Sequence, residues 1–121
     1  VSKIENTVKK GRAGESLASA YLTMKGYRIL KRNYVSPGSE LDIIAYEPQQ
    51  KTLVCVEVKR WLRPYYPIDD IRYAVPSAKM RRLRKGLSHF IATHMHLQYD
   101  AIRIDVILLY EEQVIHIEGD W

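Results

Sequence analysis

The sequence predicts an α/β domain built around one mixed sheet. Two observations carry that expectation. In two separate stretches apolar residues recur every three or four positions, the spacing of a helix packed by one face. Between and after those stretches lie short runs rich in β-branched and aromatic residues, bounded by turn residues. Three such runs precede the second helix and one or two follow it. Helix, three strands, helix and closing strands in that order describe a single sheet flanked by helices. At 121 residues the chain is long enough to bury a core, and one domain spanning 1–121 is the expectation.

The first helix is expected from Lys9 to Lys25, where Ala13, Leu17, Ala18, Tyr21 and Leu22 keep helical spacing. Gly26 is placed to stop it, since glycine takes the left-handed turn after a helix at little cost. Glu15 lies seven residues before Leu22, about 20° away around the helix, and so leans towards the core side. A first-turn glutamate favoured by the helix dipole accounts for it equally well. Tyr27 to Tyr34 reads as the first strand and Val35-Ser36-Pro37-Gly38-Ser39 as a turn. Glu40 to Tyr46 and Thr52 to Lys59 read as the next two strands. Trp61 to Ala74, with Pro64, Pro67, Tyr65, Tyr66 and Tyr73, reads as a loop at the edge of a site. A second helix is expected from Pro76 to about His94. Its apolar stripe is Met80, Leu83, Leu87, Phe90 and Ile91, and Lys79, Arg81, Arg82, Arg84 and Lys85 make its other side basic. Ile102 to Tyr110 and Val114 to Ile117 close the sheet.

The stretch from Glu40 to Lys59 concentrates charge inside otherwise apolar strands. If Glu47 pairs with Thr52 across Pro48-Gln49-Gln50-Lys51, a common hairpin loop length, Asp42 falls opposite Glu57 and Glu40 opposite Lys59. Opposed side chains lie about 4.5–5.5 Å apart at Cβ, so four ionisable groups would share one patch. Paired carboxylates repel, burial adds to the cost, and a divalent cation compensates best. Hard oxygen donors suit Mg²⁺ or Mn²⁺, with Asp42 and Glu57 as ligands, the Val58 carbonyl as a third, and Glu40 or Glu15 for a second ion or a water. Lys59 would then orient a water nucleophile or neutralise transition-state charge, while the metal polarises a phosphodiester. The competing reading is one salt bridge on a solvated sheet face, worth about 0–1 kcal/mol.

Composition narrows the setting. Hydrophobic residues make up 46% and charged residues 27%, which argues against disorder. No apolar run approaches the ~20 residues needed to span a bilayer, and the first residues hold no apolar signal core, so the cytoplasm and no membrane partner are expected. Cys55 is the single cysteine, which excludes an intramolecular disulfide. The net charge of +5 favours a polyanionic partner, nucleic acid first and an anionic membrane surface second. Lys79, Arg82 and Arg84 on the second helix, with Arg12 and Arg60, are the candidate phosphate contacts, which give affinity without sequence reading. A solvated basic face is the plainer account of that helix. Trp61, Tyr65, Tyr66 and Tyr73 can stack on bases, or pack over the sheet edge. His89, His94 and His96 lack the partners of a metal site. His116 alternates with Ile115 and Ile117 and reads as an outward strand position. Cys55 carries no mark of a nucleophile, and Gly11-Arg12-Ala13-Gly14 lacks the Lys-Ser/Thr of a phosphate loop.

An aspartate on one strand, Glu57-Val58-Lys59 on the next and a glutamate in the preceding helix together resemble the PD-(D/E)xK nucleases. That superfamily has the restriction-endonuclease-like αβββαβ core. Leu41 stands where the superfamily name has proline. A closer resemblance, from Gly11 to Trp121, is to the YraN-like family of uncharacterised, endonuclease-like bacterial proteins. It rests on Gly11-Arg12-Ala13-Gly14-Glu15, Gly26-Tyr27-Arg28-Ile29-Leu30, Arg32-Asn33-Tyr34, Glu40-Leu41-Asp42-Ile43-Ile44, Val56-Glu57-Val58-Lys59, Lys79-Met80-Arg81-Arg82-Leu83 and Arg103-Ile104-Asp105-Val106. Ser39 between Gly38 and Glu40, and Arg60-Trp61 after Lys59, depart from that family's pattern. The resemblance implies Glu15, Asp42, Glu57 and Lys59 as site residues. The layout is also similar to archaeal Holliday-junction resolvases, which implies branched DNA or another recombination or repair intermediate. The expected function is Mg²⁺- or Mn²⁺-dependent hydrolysis of DNA phosphodiester bonds; a homodimer is compatible with it, because two sites cut two strands more easily, but no feature of the sequence shows one. The alternatives are a non-catalytic nucleic-acid-binding module that keeps the fold, and a structural protein whose basic face docks an acidic partner.

Overall fold

Five strands form one mixed sheet in the order of the chain. A computed structural model describes residues 3–60 and 75–120, and side chains from residue 13 onward. The elements are α1 (Lys3–Met24), β1 (Arg28–Ser36), β2 (Ser39–Glu47), β3 (Thr52–Arg60), α2 (Ser77–Thr93), β4 (Ala101–Tyr110) and β5 (Gln113–Ile117). The expected α/β class and αβββαβ order hold, with β5 added at the edge next to β4. Only β3 and β4 run parallel; the other neighbours are antiparallel. A parallel pair needs a crossover, and α2 lies within it. The loop expected at Trp61 to Ala74 falls outside the described residues.

Element boundaries differ from expectation in two places. Helix α1 starts at Lys3 rather than Lys9, and Ile4 and Val8 continue the four-residue spacing in that direction. The turn expected over five residues narrows to Pro37-Gly38, since β1 runs to Ser36 and β2 begins at Ser39. Gly38, at φ 75°, supplies the left-handed residue that such a tight reversal needs.

Alternation along the central strands sends side chains into two layers. On one face Ile44, Leu53, Cys55, Ile104, Val106 and Leu108 pack against Met80, Leu83, Leu87 and Phe90 of α2. On the other, Ile43, Ala45, Val54, Val56, Ile107 and Leu109 pack against Ala18 and Leu22 of α1. The sheet is therefore buried on both sides at β3 and β4 and explains their nearly continuous apolar runs. Leu22, Leu83 and Leu87 are fully buried, and each contributes about 1.5–3 kcal/mol by leaving water.

The hairpin register is set at its turn. The Glu47 carboxylate accepts the N–H groups of Gln49 at 3.0 Å and Gln50 at 2.8 Å, and Lys51 takes a left-handed φ of 52°. Glu47 then pairs with Thr52, as the loop length predicts, and the ladder runs on to Ile43 opposite Val56.

Candidate active site

Past Ile43 and Val56 the two central strands part company. β2 keeps its pairing with β1 as far as Ser39 opposite Ser36, and β3 keeps its pairing with β4 as far as Arg60 opposite Leu109. Between them the ladder ends, so Asp42 and Glu57 do not continue the regular pairing that the register predicted. In its place, Asp42 Oδ2 accepts the backbone N–H of Val58 at 2.9 Å. A carboxylate thus satisfies the first β3 amide left without a strand partner.

The cause lies partly in β1. Arg32 pairs with Ile43 and Tyr34 with Leu41, but Asn33, between them and across from Asp42, has φ 53°. Asparagine tolerates this left-handed conformation better than most residues. Both strands switch faces there. Arg32 reaches Ser16 Oγ on α1 at 3.1 Å, whereas Tyr34 meets Phe90 on α2 at a ring-centroid separation of 5.2 Å. Ile43 packs in the α1 layer and Leu41, only two residues away, in the α2 layer. Strict alternation, which put Glu40, Asp42 and Ile44 on one face, therefore fails at Asp42. The backbone break leaves its carboxylate aimed between the strands.

Glu57 keeps its parity and faces α2. Its side chain is 8% exposed, and its Oε1 meets Lys79 Nζ at 3.1 Å. The other oxygen, Oε2, is buried with no hydrogen-bond donor. Burial, then the Asp42 charge, push the Glu57 carboxyl up to about 7, against the opposing pull of Lys79 and Lys59. Burial also raises Asp42, opposed by the Val58 N–H and by Lys79. From the other face α1 brings Glu15. Burial and the Asp42 charge raise its pKa, a hydrogen bond from the Asn33 side chain works the other way, and its Oε2 is buried without a donor. The core-side position of Glu15 is thus the one observed. Gly14 permits it: a Cβ there would lie 3.1 Å from Leu109 Cδ1, so the absent side chain lets this turn of α1 sit close on the sheet.

The remaining sequence candidates distribute as follows. Lys59 is half-buried on β3, one residue beyond Val58. Lys79 and Arg82 line a groove of about 310 Å³ with Gly38, Ser39, Glu40 and Leu83. Glu40 is exposed there but close enough to raise the pKa of Glu15 and of Asp42. Ser39 donates its hydroxyl to the Arg82 carbonyl at 2.7 Å and ties the β1–β2 turn to α2. Arg60 is exposed at the end of β3 and Arg84 is half-buried on α2. The Arg12 side chain and the aromatics Trp61, Tyr65, Tyr66 and Tyr73 lie outside the described residues. Cys55 is fully buried and burial pushes its thiol far up, so it is no nucleophile. Among the described residues no cluster of three His, Cys, Asp or Glu side chains arranged to hold a metal occurs.

A second polar centre escaped the sequence reading. Asp105 is fully buried in the α1 layer. Its oxygens take Arg103 Nε at 2.8 Å and Nη2 at 3.0 Å, His116 Nε2 at 2.7 Å and the Gly119 N–H at 3.1 Å. His116 is not outward: its side chain is 3% exposed, covered by the edges of Tyr21 and Tyr27. Lys25 Nζ lies 3.1 Å from Nδ1, which leaves Nε2 to carry the proton given to Asp105. Alternation in a five-residue edge strand carries no signal that a helix end covers it.

Comparison with known proteins gives a consistent answer. The model of the family described as "Uncharacterised protein family UPF0102" matches residues 14–109, which include Glu15, Asp42, Glu57, Lys59 and Lys79. A UPF0102 protein of Pelobacter propionicus is 40% identical over 103 residues, covering 84% of this chain and 71% of its own. One from Petrotoga mobilis is 36% identical over 107 residues, covering 88% and 91%. One from Mycobacterium tuberculosis is 40% identical over 105 residues, covering 87% and 80%. No helix among the described residues is long and apolar enough to cross a membrane.

Proposed function

This chain belongs to the UPF0102 family, and we propose that it is a metal-dependent nuclease of the PD-(D/E)xK type that hydrolyses DNA phosphodiester bonds. The observation that carries the reading is the meeting of Asp42 and Glu57 where the β2–β3 ladder ends. Two carboxylates there are raised by burial, and one buried Glu57 oxygen has no donor. Such a pair wants positive charge. Mg²⁺ fits a donor set this small, because it keeps several waters and takes one or two carboxylates. Asp42 and Glu57 would hold the ion, with the Val58 carbonyl as a third donor and Glu40 or Glu15 serving a second ion or a water. When bound, the ion supplies charge neutralisation and polarisation of the phosphodiester.

The chain's own residues supply the rest. Lys59 follows Glu57 by two positions and lowers that carboxyl's pKa through its charge. It orients the attacking water and balances charge as the phosphate becomes more anionic. Asn33 holds Glu15 beside Asp42, and Arg82 with its basic neighbours on α2 tracks the DNA backbone. Resemblance to junction resolvases points to branched DNA as the substrate. The test is cleavage of branched, flapped and plain duplex DNA with Mg²⁺ or Mn²⁺. Asp42→Ala and Lys59→Ala are expected to lose at least about 100-fold, the scale of a positioned catalytic group. Wild-type cleavage no faster than theirs sinks the proposal.

One observation favours a second reading. Lys79 already sits on Glu57 at 3.1 Å, so an ammonium can stand permanently where an ion would. A non-catalytic DNA-binding module would then bind DNA in a salt-sensitive manner and give no heat with Mg²⁺ in calorimetry.

A further inference from the structure

We propose that Lys79 is an internal stand-in for the divalent cation: its ammonium holds Glu57 when the ion is absent and is displaced into the neighbouring groove when the ion binds. The inference rests on the nuclease reading and adds a residue that the reading does not require.

The pair is lopsided. Glu57 is 8% exposed and fixed on a strand buried from both faces, whereas the Lys79 side chain is 41% exposed. A lysine carries its charge on a flexible four-carbon stem and can leave without moving the helix. Its ammonium satisfies one oxygen of the carboxylate and leaves Oε2 with no donor. Half-satisfaction of a buried anion is a poor permanent arrangement. The Lys79 charge also lowers the Asp42 carboxyl's pKa, so one ammonium acts on both acids. An ion on Glu57 and an ammonium at 3.1 Å from the same carboxylate would repel each other strongly.

The displaced ammonium has a place to go. The groove of about 310 Å³ beside it is lined by Glu40, an exposed acceptor, and by Arg82. Ser39 pins the groove's floor to α2 through the Arg82 carbonyl. In that position Lys79 stands next to Arg82, and the two cations face a passing phosphate together. Ion binding and backbone binding are then positively coupled: the ion frees the lysine, and a phosphate in the groove keeps it away from Glu57.

Calorimetry with Mn²⁺ at about pH 8, without DNA, tests this. Lys79→Met keeps the stem and removes the charge, and it should bind Mn²⁺ roughly tenfold more tightly than wild type, the lower end of ordinary site-to-site coupling. Arg82→Met removes a charge from the same groove that does not touch Glu57, and it should leave the affinity within about twofold. Equal affinity of wild type and Lys79→Met overturns the inference while the nuclease reading stands. An equal gain in both variants overturns it too, because the effect is then one of general charge. Absence of Mn²⁺ heat in wild type and in Lys79→Met removes the nuclease reading and this inference together. Independently of any variant, Mg²⁺ titration of wild type should shift the Lys79 Cε–Hε NMR signal in step with saturation of the site. A signal that does not move means the lysine stays put, and the idea fails.

Discussion

Two single residues decide most of the site, and they differ in how plainly the sequence announces them. Glu57 is announced by its place: a carboxylate in an apolar run, two positions before a lysine. Asn33 is not, because a left-handed backbone leaves no periodic trace, and only the tolerance of asparagine for that conformation hints at it. Its φ of 53° nevertheless lies where strict alternation fails and where Asp42 turns between the strands. Asp105 is a third case. It was visible as a charge in a strand, but its partners Arg103, His116 and Gly119 come from separate positions that no spacing rule unites. Replacing Asp105 by Ala leaves a buried imidazole and an amide without their acceptor, and takes from the half-buried Arg103 its two shortest contacts to a carboxylate. The expected loss is about 3–5 kcal/mol, the usual cost of removing one member of a buried charge pair. A urea denaturation curve with unchanged slope and a lower midpoint would show it.

Among the elements, the β2–β3 hairpin was the most legible. A four-residue loop fixed its register, and the Glu47 side chain closing that turn bears this out as far as Val56. Beyond it the register ceased to be a local matter, since the left-handed Asn33 on β1 and the Asp42–Val58 hydrogen bond lie where the ladder ends. Helix α2 was legible as a helix and as a basic face. Its role at the site was not, because nothing in a helical stripe tells which exposed lysine reaches across to a strand. Its approach is set by Gly86, where a Cβ would sit 3.0 Å from Leu41 Cδ2 and tighter still against Ser39 Oγ. Gly86→Val therefore overpacks the contact between α2 and β2 and should cost about 1–3 kcal/mol. The lower denaturation midpoint should come with perturbed amide NMR signals for Ser39 and Leu41, the two residues nearest the added methyl groups.

For the whole molecule, the acidic centre makes stability depend on pH in a definite direction. The Glu57 carboxyl stands at about 7 in the folded chain against an ordinary 4.5. Between those values the folded state keeps a proton that the unfolded state has released, so this group's contribution is fully present below about 4.5 and lost as pH rises through about 7. Asp42 and Glu15 are raised as well and act in the same sense. Glu57→Gln mimics the protonated acid at every pH. Its melting temperature should match wild type at pH ~4, below the unfolded-state pKa, and exceed it by several degrees at pH ~8, at ~4 °C per kcal/mol for a chain of this size. Saturating Mg²⁺ should close the gap by stabilising wild type alone. A gap that is the same at both pH values would place the cost of the carboxylate elsewhere.

The buried thiol has a practical side. Cys55 is the chain's single cysteine, and it is fully enclosed between β2, β4 and α2. A maleimide or disulfide reagent finds no accessible thiolate on the folded protein. A cysteine introduced at Gln50, on the exposed hairpin turn at the far end of the strands from Asp42 and Glu57, can therefore carry a fluorophore without a cysteine-free background. The native thiol becomes a clock in the same experiment: its rate of modification counts openings of the sheet centre, while the dye on the turn tests whether added DNA binds as proposed.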